Sequence, residues 1–242
     1  MRFDDYVNAL REHAASLVAA VSDAPLDTRV PTCPDWSLAD LLRHLGTHHR
    51  WVAGNLTQAP GAGMYPFDQI APPPDDALPE WVGAGAADLA DRLVAVGPDH
   101  ACWAWLSEQT SATWARRTAL ETVVHGWDGC NTVGAASAIA GDVASDGIDE
   151  SLTALLPART WVDPPASHGT LHVHCTDVDG EWLVTFAADG ITTTREHAKG
   201  DVAARGPASD LYLNLLGRTD NTMIEIIGDS GRFAQWRDWA RF

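Results

Sequence analysis

The first two thirds of the chain repeat their apolar residues every three to four positions. This period predicts amphipathic helices, because residues three and four apart lie on one face of a helix. In the first helix, Tyr6, Leu10, Leu17 and Val21 share such a face. The predicted helical segments are residues 3–21, 35–56, 77–96 and 111–130, with a shorter fifth at 148–156. Four helices of this length are typical of a bundle, and we expect the fifth to pack against it.

The period changes to two after a link that contains two prolines. From Thr170 the stretches "TLHVHCT", "EWLVTFA" and "GITTTRE" alternate as strands with one buried face do. Asp-Gly pairs at 179–180 and 189–190 supply turns. A strand, a helix, a strand and a closing helix are predicted after residue 200. The sequence therefore predicts an all-α four-helix bundle at 1–158, a linker at 159–169 and a small α+β domain at 170–242.

The charge of the chain narrows the classes of partner. Acidic residues outnumber basic residues 33 to 16, which gives a formal net charge of −17. Without a basic stripe to neutralise phosphates, neither nucleic acid nor an anionic membrane is expected as a partner. The sequence shows no long uncharged apolar run, no signal-peptide core and no C-x-x-C pair. We therefore expect a soluble, cytoplasmic protein with reduced thiols.

A glutamate and a histidine stand four residues apart in the fourth predicted helix, within "LETVVHGWD". Glu121 and His125 project from one face, about 6 Å apart along the axis, so both can hold one ion. His44 lies within a leucine stripe of the second helix, which would direct it into the bundle core. In some catalytic zinc sites, two histidines and one glutamate bind the metal and leave the fourth coordination position open. These three residues are the predicted metal ligands.

Simpler interpretations remain open for each of these residues. Glu121 and His125 also fit an ordinary pair on the surface of a helix, and His44 fits a buried histidine with a hydrogen-bond partner. His48, one turn after His44 and on much the same face, could replace it as a ligand or act as a proton carrier.

Three further residues attract attention. Asp128 could support His125 from the second shell, cap the helix end or pair with an arginine. His172 and His174 share a face of a predicted strand, but the sequence shows no third ligand for them.

Two motifs carry a family resemblance. They are the Cys-Pro-x-Trp of "VPTCPDWSLADLLRHLGTHHRWV", residues 30–52, and the E-x-x-x-H-x-W-D of "RRTALETVVHGWD". Both resemble the mycothiol-dependent maleylpyruvate isomerase family of actinobacteria, whose N-terminal domain is a DinB-like four-helix bundle. The later stretches "HVHCTDVDGEWLV" and "GPASDLYLNLLGR" resemble its second, sterol-carrier-like domain. The resemblance implies that His44, Glu121 and His125 bind a divalent metal, usually zinc, and that mycothiol is the thiol cosubstrate.

The resemblance also implies a thiol chemistry. A thiol bound to a dication is deprotonated at neutral pH, where a free thiol of pKa about 8.5 is mostly protonated. In the isomerase, the mycothiol thiolate would add to the cis double bond of maleylpyruvate, permit rotation, and leave to give fumarylpyruvate. Related members transfer mycothiol to an electrophile such as a xenobiotic or a biosynthetic intermediate. The alternative from another class is a non-catalytic module that binds a metal or small molecule.

An anionic substrate requires positive charge near the site. Arg117, one helical turn before Glu121, could reach the same mouth, or could form a solvated ion pair. Arg218 matches an arginine that recurs in the second domain of the resembling family, and could equally be a cation that complements a helix end. We predict catalytic roles for both arginines. The sequence leaves the electrophile, the native metal and the oligomeric state open.

Overall fold

The protein is described by a computed structural model that covers residues 1–106, 108–158 and 168–240. Contacts between residues divide the chain into two units, Met1–Ser137 and Ala138–Phe242. Within the described residues, no helix combines the length and apolar character that a membrane crossing needs.

The first unit is the four-helix bundle that the sequence predicts. Its helices are α1 Phe3–Val21, α2 Leu38–Asn55, α3 Leu78–Val96 and α4 Ser111–Thr132. Both α1 and α2 pack against α3 and α4. The buried positions follow the three- to four-residue period, and the leucine stripe of α2 is fully buried.

A capping box fixes the start of α2. The Ser37 hydroxyl accepts a hydrogen bond from the Asp40 N–H at 3.2 Å, and the Asp40 carboxylate accepts one from the Ser37 N–H at 3.0 Å. These bonds satisfy two backbone donors that the first helical turn leaves unpaired. Because the box sets where the helix begins, it also sets which side of α2 carries His44.

A short hairpin precedes α2 and was not predicted. It consists of β1, Arg29–Val30, and β2, Cys33–Ser37, paired antiparallel. Its sequence contains Pro34 and Asp35, which are poor strand formers, so the pattern gives little indication of a strand.

His49 makes the stability of the bundle depend on pH. It is fully buried, with Nε2 3.0 Å from the Thr122 hydroxyl oxygen, and burial lowers its pKa to about 3. Below about pH 6.5 this histidine is protonated in the unfolded chain but stays neutral in the folded chain. The free energy of unfolding therefore falls as the pH falls. Between pH 6.5 and 5 we expect wild type to lose about 1.5 kcal/mol more stability than His49→Gln. Urea unfolding followed at a helical circular-dichroism band measures this difference, and equal losses would contradict it.

The second unit is the predicted α+β domain. Its elements are α5 Gly141–Glu150, β3 Gly169–Cys175, β4 Glu181–Ala187, β5 Gly190–Thr194, β6 Val202–Gly206, α6 Ala208–Leu215, β7 Glu225–Gly228 and α7 Ser230–Ala240. The described strands form one sheet in the order β5-β4-β3-β6-β7, with β3 and β6 parallel and the other pairs antiparallel. Trp182 of β4 donates a hydrogen bond to Asp149 of α5 at 2.9 Å, and Phe186 stacks on Trp236 of α7 with 4.4 Å between ring centroids.

The division between the units lies upstream of the predicted linker. A π-helical turn, Ser151–Leu155, continues α5, and both belong to the second unit, where α5 packs on α6. The predicted bundle extended to residue 158 because the helical period continues that far, and a period indicates a helix but not the element it packs against. Most of the predicted linker, 159–167, lies outside the described residues.

Candidate metal centre

One carboxylate oxygen lies between two imidazoles in the bundle. Glu121 Oε1 is 3.0 Å from His44 Nε2 and 3.3 Å from His125 Nε2. The ligand atoms of the three residues all lie within 4.8 Å of one another. The fold thus brings together all three predicted ligands, one from α2 and two from neighbouring turns of α4.

The centre lies at the edge of the bundle, beside a cleft. The side chain of His125 is 9% exposed and that of Glu121 22%, but that of His44 is 37% exposed, so His44 does not point into the core as predicted. A cleft of about 770 Å³ opens on the His44 side, and His44 is the one of the three predicted ligands that lines it. Its lining includes Trp36, Arg43, His44, Thr47, His48, Trp51 and Phe67.

Asp128 contacts Nδ1 of His125, whereas Glu121 faces Nε2 of the same ring. Its Oδ2 lies 3.0 Å from His125 Nδ1, its Oδ1 accepts a hydrogen bond from the Thr32 hydroxyl at 2.6 Å, and the Cys33 thiol lies 3.8 Å from Oδ2. A proton on Nδ1 would be donated to Asp128 and would leave the Nε2 lone pair facing the centre. Sequence reasoning missed Thr32 and Cys33, although Cys33 belongs to the Cys-Pro-x-Trp motif.

Arg117 contacts the proposed ligand set instead of solvent. Its guanidinium is nearly buried and donates a hydrogen bond to Glu121 Oε2 at 2.5 Å. Burial opposes the charged form of Glu121, but the Arg117 charge and the imidazoles of His125 and His44 hold the pKa of Glu121 well below its usual value. The carboxylate is therefore ionised, as a metal ligand must be.

The opposite shift occurs at His125. Burial alone would lower its pKa, but hydrogen bonding to Asp128, Cys33 and Glu121 raises the pKa of His125 well above its usual value. Metals bind the neutral imidazole, so a metal that enters this centre has to displace a proton from His125.

His48 stands apart from the three ligands. Its ring centroid is 6.5 Å from that of His44, and its Nε2 lies 3.3 Å from the Thr118 hydroxyl oxygen. Burial lowers the pKa of His48 to about 4, so the ring is neutral at physiological pH. Among the described residues, no group of converging ligand atoms includes His48. The geometry therefore favours His44 over His48 as the ligand from α2.

Arg218 follows α6 in the second unit. Gly217, with φ +71°, ends the helix, and the N–H groups of Gly217 and Arg218 bond to the carbonyls of Asn214 and Leu213. These two backbone hydrogen bonds together form a Schellman motif. The Arg218 guanidinium donates a hydrogen bond to the Leu216 carbonyl at 2.9 Å, as the alternative of a helix-terminal cation suggested.

Comparison with known families covers most of the chain. The model described as "Mycothiol maleylpyruvate isomerase N-terminal domain" matches residues 7–129, and that described as "MDMPI C-terminal domain" matches residues 142–235. The chain belongs to the mycothiol maleylpyruvate isomerase family. No curated protein matches its sequence.

Solved structures show the same fold. A crystal structure of the mycothiol-dependent maleylpyruvate isomerase is 13% identical, with a TM-score of 0.65 and coverage of 93% of both chains. A histidine-to-alanine mutant of that enzyme is 12% identical, with the same TM-score and coverage. At this identity the likeness establishes the arrangement of helices and strands, so the roles of individual side chains in this family member depend on its own geometry.

Asp128 provides a test of the predicted metal centre. Asp128→Asn removes the charge that holds His125 while keeping the shape of the side chain. We expect metal affinity to weaken about 10- to 100-fold, as loss of an outer-shell carboxylate typically causes. Competition with a chromophoric chelator measures the change in protein that also carries His174→Ala and His197→Ala, so that histidines of the second unit do not bind the metal. Thr32→Val, which removes only a neutral donor to Asp128, should have a smaller effect. An unchanged affinity in Asp128→Asn would show that His125 does not need this partner.

Proposed function

We propose that this protein is a metal- and mycothiol-dependent isomerase that converts maleylpyruvate to fumarylpyruvate. The observation that carries the proposal is the convergence of His44 Nε2 and His125 Nε2 on one oxygen of Glu121, beside an open cleft. Membership of the family supplies the thiol and the substrate class, and the structural relative named above is a maleylpyruvate isomerase.

The ligand set fits a divalent metal of the zinc class. Zinc bonds of about 2.0–2.1 Å in a tetrahedron separate neighbouring ligands by roughly 3.3 Å, close to the two distances at Glu121. Two histidines and one carboxylate leave a fourth position for an exogenous ligand. A divalent metal bound there lowers the pKa of a coordinating thiol, so that the sulfur is a thiolate at neutral pH.

The chain's own residues hold the proposed ligands in place. Asp128 orients His125, and Arg117 donates a hydrogen bond to Oε2 of Glu121, the oxygen that the histidines do not contact. The Trp36 ring lies 4.9 Å from the His44 ring and 5.5 Å from the His125 ring. The indole is therefore an apolar neighbour of both imidazoles.

The proposed reaction consumes neither protons nor electrons overall. The thiolate sulfur forms a bond to one carbon of the cis double bond, and the electron pair of that double bond moves toward the conjugated carbonyl. Rotation occurs about the resulting single bond. The electron pair then returns, the carbon–sulfur bond breaks, and the trans alkene and the thiolate are released.

Negative charge develops on the substrate during this reaction and requires a nearby cation. Arg43 lines the cleft, but its guanidinium is paired with Asp40 at 2.8 Å and Asp75 at 2.7 Å. Arg117 is paired with Glu121. Both of these cations are therefore paired with carboxylates. We propose Arg218 and Arg117, the two arginines that the sequence singles out, as the residues to test for binding the anionic substrate.

Two measurements on the full chain test the proposed function. Mycothiol added to cobalt-substituted protein should produce a sulfur-to-cobalt absorption band, whereas an S-methylated mycothiol control should not. Maleylpyruvate should then isomerise only when mycothiol is present, without net consumption of the thiol. An unchanged cobalt spectrum at saturating mycothiol would contradict thiol activation.

The same assay separates the alternatives. Consumption of mycothiol with an electrophile, but no isomerisation, would replace the isomerase by an S-transferase. A cobalt band with no turnover of either kind would support a binding module. Both outcomes would contradict the proposed isomerase.

A further inference from the structure

A second group of metal-ligand side chains lies in the second unit. Glu181 Oε1 is 2.9 Å from His174 Nδ1, and Glu181 Oε2 is 2.6 Å from His197 Nδ1 and 3.6 Å from His172 Nε2. All four residues can place a ligand atom within 4.8 Å of the others. We call these four residues the sheet cluster.

Strand register and one connection assemble the sheet cluster. His172 and His174 alternate with Leu171, Val173 and Cys175 of β3, and His174 pairs directly with Glu181 of β4. The connection from β5 to β6 supplies His197 and then runs close to β3. A Cβ atom on Gly200 would lie 2.8 Å from the backbone nitrogen of His172, so the lack of a side chain at Gly200 permits this close approach.

One atom of the sheet cluster lacks a partner. His172 is 8% exposed, and its Nε2 is buried without a hydrogen bond among the described residues. A buried polar atom left in this state costs about 1–3 kcal/mol. Nε2 also faces Glu181 Oε2 at 3.6 Å, a distance too long for a hydrogen bond but compatible with two ligands of one ion.

Arg205, on the same sheet face, is already paired with a carboxylate. Arg205 of β6 pairs in register with His174, and its guanidinium lies 3.7 Å from Glu225 of β7. Three imidazoles thus face the single carboxylate of Glu181.

We propose that His172, His174, Glu181 and His197 form a second binding site, for a divalent transition metal of the zinc class. Three imidazole nitrogens and one carboxylate oxygen suit zinc, copper or nickel better than magnesium or calcium. Four protein ligands complete a tetrahedron and leave no position for a substrate, so the site stabilises the second unit and does not take part in catalysis. The site shares no residue with the candidate metal centre of the bundle, formed by His44, Glu121 and His125, which we call the helical centre.

The test uses the full chain with the helical centre disabled by His44→Ala and His125→Ala. Zinc is titrated against a chromophoric chelator, and bound zinc is counted by elemental analysis after desalting. We expect one equivalent of zinc to remain in this background. Adding His174→Ala or His197→Ala should weaken zinc binding by at least about 100-fold, the upper end of the loss seen for outer-shell partners.

Two controls make the result decisive. His168→Ala removes an exposed histidine of the same unit that lies outside the sheet cluster, and should leave zinc affinity unchanged. The side chain of His197 is 81% exposed, so its removal does not disturb the core and the variant keeps its fold. Absence of zinc from the background protein, or unchanged affinity in His197→Ala, would overturn the proposal.

Discussion

Glu121→Ala should empty the helical centre of metal. Both histidines of the centre face the same Glu121 oxygen, so its removal eliminates the ligand common to both contacts. We expect affinity to fall by at least about 100-fold and mycothiol-dependent turnover to be lost with the metal. Elemental analysis of protein prepared without chelator measures the loss. His174→Ala and His197→Ala should be present in every sample, so that an ion in the sheet cluster does not contribute.

Matched histidine variants identify the other ligands. His44→Ala and His125→Ala should lose the metal as Glu121→Ala does, whereas His48→Ala, one turn along the same helix, should retain it. Full occupancy in the Glu121, His44 and His125 variants together would contradict this centre. Loss of metal in His48→Ala but not in His44→Ala would assign the α2 ligand to His48.

Arg218→Ala should lower kcat/KM for maleylpyruvate by roughly 10²- to 10³-fold, or about 2.7–4 kcal/mol, if the guanidinium stabilises charge that develops on the substrate. The metal content should remain that of wild type, because Arg218 is not a ligand. Steady-state kinetics at saturating mycothiol, paired with elemental analysis, separate these two effects. Arg218→Lys, which retains a charge but not the planar fork, should recover part of the activity.

Arg205→Ala provides the control for Arg218. It removes a half-exposed arginine from the same unit, and activity should remain near that of wild type. A fully active Arg218→Ala enzyme would eliminate Arg218 as the substrate-binding cation, and Arg117 would then be the residue to test.

The helices and strands could be predicted because their signals are local. The three- to four-residue period predicted α1 to α4, and the alternation after Thr170 predicted β3 to β5. The proposed ligands of the helical centre could also be picked out from the sequence, since Glu121 and His125 are neighbours on one helix. Placing His44 beside them required only that two bundle helices face each other.

The features that the sequence did not reveal depend on contacts between distant residues. Nothing local connects Thr32 with Asp128, yet their side chains share a hydrogen bond. His172 and His174 were recognised as a pair on one strand face. Glu181 and His197 join them through strand register and a returning connection, which alternation alone does not specify.

The hairpin before α2 matters to anyone who would transplant the helical centre into another bundle. Residues 29–37 carry both the Ser37 cap that starts the His44 helix and the Thr32 hydroxyl that holds Asp128 behind His125. A graft of the three ligands alone would lack this hairpin segment. It would therefore lose both the cap that fixes the start of α2 and the hydroxyl that holds Asp128 against His125. The smallest portable version of this centre is therefore two helices together with the nine residues that precede one of them.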